Sequence, residues 1–203
     1  MKVNPPARRT QAERTAATRT QLLSAARKLF ADKGFSEVST QQIVAEAGVT
    51  RGALYHQFAD KADLFAAVYE QVEEELAADV VTAIAAENPA GTLEAMQTGA
   101  RLFLDHCSAP GVAQIVLIDA PSVLGWERWR EVGIRYGLGI IEGMLTQAVA
   151  EGVIPAQPLR ATAHVLLSSL DEAALYISRA ADPETARQEM YAVSGRLIAG
   201  LAR

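Results

Sequence analysis

Arg51, Tyr55 and His56 fall together in the stretch GVTRGALYHQF, residues 48–58. Arg51 carries a planar fork of N–H donors that can meet two acceptors on a guanine edge or grip a phosphate. Tyr55 and His56 can donate to phosphate oxygens. Gly52 and Ala53 have so little side chain that their backbone can come close to a partner, and the Ala53 methyl can touch a thymine methyl. Leu54 and Phe58 are four apart, so a helix through this stretch turns both inward. What remains outside is polar, aromatic or small, which suits a nucleic-acid duplex as partner.

Those side chains need elements to position them. Ser39 with Gln42 three residues later forms a capping box that opens a short helix, Ile43 and Ala47 face inward, and Gly48 ends it. Thr50 caps the next helix, which runs to about 58. Two short helices around a glycine-containing turn make a helix-turn-helix, whose second helix points its N-terminal residues at base edges. A preceding helix over about 11–33, with Leu22, Ala26, Leu29 and Phe30 inward and Gly34 as C-cap, completes a three-helix head. The expected DNA contacts are Ser39 and Thr40 on the first helix of the motif, and Thr50, Arg51, Gly52, Ala53, Tyr55 and His56 on the second. Lys61 joins them, because it and the free N–H groups opening a fourth helix at Asp60 form an anion site. The bland alternative is a small core with a merely solvated outer face.

Charge agrees with the head reading. The net charge is −5, but residues 1–65 hold ten Lys and Arg against six Asp and Glu, while residues 66–203 hold nine against eighteen. A basic head can meet phosphate while an acidic body avoids non-specific contact. The opening twenty residues are basic without the apolar run of a signal peptide, and read as a basic arm leading into a helix. Cys107 is the lone cysteine, which excludes an internal disulfide and fits a reducing cytoplasm. No apolar run is long enough for a membrane span, so no membrane partner is expected. No P-loop, G-x-S-x-G or H-E-x-x-H occurs, and Asp105, His106 and Cys107 are sequence neighbours rather than a spaced ligand set. We expect no enzyme activity, no catalytic residue, no cofactor and no metal site.

The rest of the chain has helical spacing throughout and almost no strand signal. The expected helices cover about 61–87, 91–107, 110–119, 125–152, 158–181 and 183–202, with breaks at Pro110, Pro121, EGVIPAQP and Asp182-Pro183. The fold class is therefore all-α with about nine helices. Trp126, Trp129, Gly133, Tyr136, Gly137, Ile140 and Met144 fall on one stripe. Glycine inside a helix costs roughly 1 kcal/mol relative to alanine, so the glycines there make room either for close helix packing or for a ligand. Phe103 and Ile118 can add apolar wall, and His106, Asp119 and Asp171 can orient a ligand; for His106 alone a satisfied histidine is the plainer reading. In the last two helices Leu166, Leu170, Ala173 and Ile177 make one apolar face, and Met190, Val193 and Leu197 another. A terminal helix pair with apolar faces to spare predicts a two-fold homodimer interface built from those seven residues.

The stretch STQQIVAEAGVTRGALYHQFADKADLF resembles the signature of TetR-family transcriptional regulators: the capped helix, A-G-V-T at the turn, G-A-L-Y-H-x-F, and Lys61 with Leu64 after it. Val44 departs from the family's usual alanine, which shifts the packing of that helix slightly. The resemblance implies a helix-turn-helix head over 1–60, and a ligand-binding and dimerisation domain over 61–203 reached through a long connecting helix. It also implies a homodimeric repressor that binds double-stranded operator DNA until a small apolar or aromatic effector lowers its affinity. The competing reading is an effector-free architectural DNA-binding protein.

Overall fold

The computed structural model describes residues 10–202, and the basic stretch ahead of Thr10 lies outside them. The described residues form nine helices and no strand: α1 Gln11–Lys33, α2 Thr40–Ala47, α3 Arg51–Gln57, α4 Lys61–Glu87, α5 Thr92–Cys107, α6 Pro110–Leu124, α7 126–150, α8 Leu159–Arg179 and α9 Pro183–Gly200. The chain divides into two compact units inside α4, between Val68 and Tyr69.

In the first unit the helix ends are fixed locally. Thr10 and Glu13 form a capping box on α1, and Ser39 and Gln42 form one on α2. Asp60 accepts from the Asp63 N–H at 2.8 Å, while Asp63 accepts from the Ala59 N–H at 3.0 Å, which caps α4. Gly48 ends α2 in the left-handed region, with φ 65° and ψ 31°, where a side chain costs energy. Leu22, Ala26 and Phe30 of α1 close on Ile43, Leu54 and Phe58, all essentially buried. Fully burying each large side chain contributes roughly 1.5–3 kcal/mol.

The division falls eight residues later than the boundary expected at 60, because the start of α4 belongs to this core. Leu64 and Phe65 are fully buried. The Phe65 ring stands edge-on to Phe30 and to Phe35, each at 5.2 Å. Such aromatic pairs add about 0.5–1.5 kcal/mol beyond their buried area.

In the second unit α6 does not stop before Pro121 as the sequence suggested. Residues Gln114–Asp119 widen into a π turn, in which the Ala120 N–H reaches the Ile115 carbonyl, and the helix continues to Leu124. The break comes at Gly125, with φ 80°. A second π turn, Ile134–Leu138, interrupts α7. A wider turn rotates the residues after it out of line with those before it. The stripe expected from Trp126 to Met144 is therefore split between two faces.

In α8, Ala163, Leu166, Leu167, Leu170, Ala173, Ala174 and Ile177 are buried against α5, α7 and α9 of the same chain. The face assigned to a partner thus turns inward at Leu166, Leu170, Ala173 and Ile177. A continuous apolar stripe at helical spacing serves the helix's own core first. What α8 and α9 leave outside is Val165, Tyr176, Val193 and Leu197, exposed by 69, 47, 39 and 52%. Met190 is half-buried.

Candidate nucleic-acid interface and ligand cavity

α3 holds its outward residues ready. The Thr50 hydroxyl accepts from the Ala53 N–H at 3.2 Å and fixes the start of the helix. Gln57 Nε2 donates to the Thr15 carbonyl at 3.2 Å and ties its end to α1. Between these anchors Arg51, Gly52, Tyr55 and His56 are exposed and Ala53 is half-buried. The Arg51 guanidinium lies over the Tyr55 ring, 5.5 Å from its centre. Hydrogen bonding to Arg51, and then to Thr40, pulls the Tyr55 phenol below its ordinary range. Thr40, Arg51 and Tyr55 thus form one polar cluster that joins the opening of α2 to α3. A Cβ on Gly52 would meet only the Thr50 hydroxyl, at 3.9 Å, so no packing inside the chain demands glycine there.

Two expected contacts have other duties. The Ser39 hydroxyl is engaged with Gln42 in the capping box. Lys61 donates to the carbonyls of Phe35 and Val38, both at 2.9 Å, and its ammonium sits 4.0 Å from the centre of the Phe35 ring. An ammonium has three donors, and these carbonyls use two of them. The structure makes Lys61 first a staple of the α1–α2 connection.

The second unit contains a cavity of about 90 Å³, partly open to solvent. Its walls come from α4, α5, α7, α8 and α9 and are almost entirely apolar, as in small-molecule sites generally. Phe103, Gly137, Ile140 and Met144 of the expected ligand residues line it. A Cβ on Gly137 would approach Leu167 Cδ1 at 3.2 Å, and one on Gly99 would approach Ile84 Cδ1 at 2.9 Å. Both glycines are therefore where helices come close beside the cavity. Leu166 and Leu170, assigned to a partner from the sequence, line the cavity instead, while Leu197 borders the cavity and remains 52% exposed.

The other expected ligand residues are not among the cavity's walls, and each has a physical reason. Trp129 is buried and donates its indole N–H to the Val116 carbonyl at 2.9 Å, while Trp126 is 66% exposed. Gly133 precedes the π turn and Tyr136 lies within it, and neither is in the cavity wall. Ile118 and Asp119 belong to the π turn of α6, and Ile118 is exposed. His106 Nδ1 lies 2.8 Å from the Leu102 carbonyl, one turn back on its own helix. Asp171 accepts from Arg130 at 3.0 Å, and the other arm of that guanidinium donates to Ser168. Burial nevertheless raises the Asp171 carboxyl to about 6, against the pull of Arg130.

Glu73 is the charged wall residue that the sequence reading missed. It is 9% exposed, and burial raises its carboxyl to about 7, against the pull of a hydrogen bond from Tyr69 and with Asp171 adding to the rise. The signal was present in the spacing: Tyr69, Glu73, Leu76 and Val80 recur at helical intervals, which places one acid in an apolar stripe.

A head that offers a duplex one short helix, on the same chain as helices enclosing an apolar cavity, is the make-up of a helix-turn-helix transcriptional regulator. Residues 22–68 match "Bacterial regulatory proteins, tetR family", and residues 93–201 match "Tetracyclin repressor-like, C-terminal domain". The chain belongs to the tetR family of bacterial regulators, as its turn-and-helix signature indicated. Among relatives, the transposon Tn10 TetC protein of Escherichia coli is 27% identical over 146 residues, 72% of this chain and 73% of that one. A TetR-family transcriptional regulator from Pectobacterium atrosepticum superposes with a TM-score of 0.83 at 32% identity, covering 96% of this chain and 98% of the other. RolR, solved with resorcinol, shares the fold with a TM-score of 0.72 at 20% identity, covering 95% of this chain and 94% of the other.

Proposed function

We propose that the protein is a homodimeric repressor. It reads double-stranded operator DNA through α3 and releases it when a small, largely apolar or aromatic ligand fills the second unit's cavity. The cavity carries this reading: α4 supplies Glu73, Leu76, Ala77, Val80 and Ile84 to its wall, and the same helix begins with Lys61, Leu64 and Phe65 in the head's core. A ligand that fits better when α4 is tilted would couple occupancy to DNA affinity, by no more than its differential affinity for the two states. RolR, a neighbour in fold, was solved with resorcinol, a small aromatic molecule. Such a regulator works where the chromosome is, in the cytoplasm.

For assembly, the exposed stripe of Val165, Tyr176, Val193 and Leu197 is the surface to bury, in place of the inward face of α8. A two-fold axis through α8 and α9 would pair it with its own copy, as isologous contacts require. Two recognition helices would then meet half-sites about 34–36 Å apart.

The test is Gly137→Leu. Leu167 stands 3.2 Å from where its Cβ would be, so the added side chain must occupy cavity space. Overpacking typically costs about 1–3 kcal/mol. We expect operator affinity to be kept and release by effector to be lost. A variant that still releases DNA at the wild-type effector concentration would place the effector elsewhere.

A further inference from the structure

The cavity has one carboxyl in its wall, Glu73, and no Lys, Arg or His lines the cavity beside it. Glu73 has a single hydrogen-bonding neighbour among the described residues, the phenol of Tyr69 one turn earlier. Tyr69 has one hydroxyl proton, for which the Trp129 carbonyl, 3.0 Å from its oxygen, competes with Glu73. An ionised Glu73 therefore has at most that one shared proton to accept. Ser169, the next polar group in the wall, donates to the Leu166 carbonyl at 2.7 Å.

Charge is unbalanced in the same direction. The nearby buried acids are Glu73 and Asp171, and each raises the proton affinity of its surroundings. The cation beside them, Arg130, is committed to Asp171 and Ser168. The remaining lining is aliphatic or aromatic, apart from Ser194. An unpaired buried charge is costly, and the group escapes the cost by taking a proton, which agrees with its raised value of about 7. A guest that brings both a donor and a positive charge removes the deficit. A neutral hydroxyl supplies only the donor, and an anion adds repulsion.

We propose that the cavity is built for a lipophilic amine, an apolar body with one protonated nitrogen whose N–H donates to the Glu73 carboxylate. This rests on the cavity being the effector site, and it names the chemistry of the effector.

Three eight-carbon probes of equal length separate the alternatives by calorimetry on the full chain: octylammonium, 1-octanol and octanoate. Hydrogen bonds to charged groups are the strong ones, so octylammonium should bind the wild type about tenfold or more tighter than octanol, with octanoate weakest. In Glu73→Gln that advantage should vanish, while octanol stays within about twofold of its wild-type affinity. Near pH 7 octylammonium should also displace the Glu73 proton to buffer, read from binding heats in two buffers of different ionisation enthalpy, and octanol should not. This readout needs no variant. Octanol binding the wild type as tightly as octylammonium, or an advantage that survives Glu73→Gln, would overturn the amine while leaving an apolar effector site in place. If none of the three probes binds, the effector site itself is wrong and the amine falls with it.

Discussion

The indole Nε1 of Trp129 donates to the main-chain carbonyl of Val116 at 2.9 Å, and the bond closes a gap left by a proline. In the π turn of α6 the Ala120 N–H goes to Ile115, and the residue five beyond Val116 is Pro121, which has no N–H. The Val116 carbonyl would otherwise be a buried acceptor without a donor. An unsatisfied buried group costs about 1–3 kcal/mol. Trp129→Phe should therefore lower stability by about that much in denaturant unfolding. Adding Pro121→Ala, which restores an N–H, should recover part of the loss. Additive effects of the two changes would mean the bond and the proline are unrelated.

Lys61 makes a second prediction, against its reading as a phosphate contact. Its ammonium is held by two carbonyls and faces an aromatic ring. Lys61→Met keeps the stem and removes the donors. We expect the head to lose about 1–3 kcal/mol in thermal or denaturant unfolding. A variant with wild-type stability and a salt slope of DNA binding reduced by about one would restore the phosphate reading.

These cases show which parts of the fold were legible in the sequence. Gly34, Ser39, Gln42, Gly48, Thr50 and Asp60 are local signals, and they placed the end of α1, both ends of α2 and the starts of α3 and α4, because caps and turn glycines act on their own neighbourhood. The wall of the cavity was not legible in that way. Trp126 and Met144 share a stripe only if α7 winds uniformly, and the π turn at Ile134–Leu138 undoes that. Leu166, Leu170, Ala173 and Ile177 were visible as a stripe, but apolar spacing in one chain does not say whether the cover is its own core or a second copy. Glu73 was overlooked because it sits in a run of acids, and only its neighbours at helical spacing reveal that it faces in.

Stability should fall as the pH rises from about 4 to about 7. Glu73 is raised to about 7 and Asp171 to about 6, both mainly by burial, so the folded chain holds more protons than the unfolded one across that window. Stability then declines with pH, since the unfolded state binds fewer protons. The part due to Glu73 is on the order of 3 kcal/mol, and it is fully present below its unfolded value. Glu73→Gln should flatten the slope of melting temperature against pH and be more stable than wild type at pH 8. An unchanged slope would mean Glu73 is solvated.

The assembly surface can be probed without touching the protomer's core. Val165 is 69% exposed in the single chain, so Val165→Glu costs little in a monomer. If the residue is buried against a second copy, an unpaired charge enters an apolar seam. Analytical ultracentrifugation should then show the variant as a folded monomer at concentrations where the wild type is a dimer. A variant that remains dimeric would move the seam off α8.

Selection of bound duplexes from a random library tests most directly whether α3 reads DNA. The wild type should enrich a two-fold symmetric sequence with half-sites about one helical turn apart. Arg51→Ala should bind it about 1–3 kcal/mol more weakly and accept other bases at the position that Arg51 contacts. Enrichment of no sequence by the wild type, or of the same sequence with equal affinity by Arg51→Ala, would contradict the account.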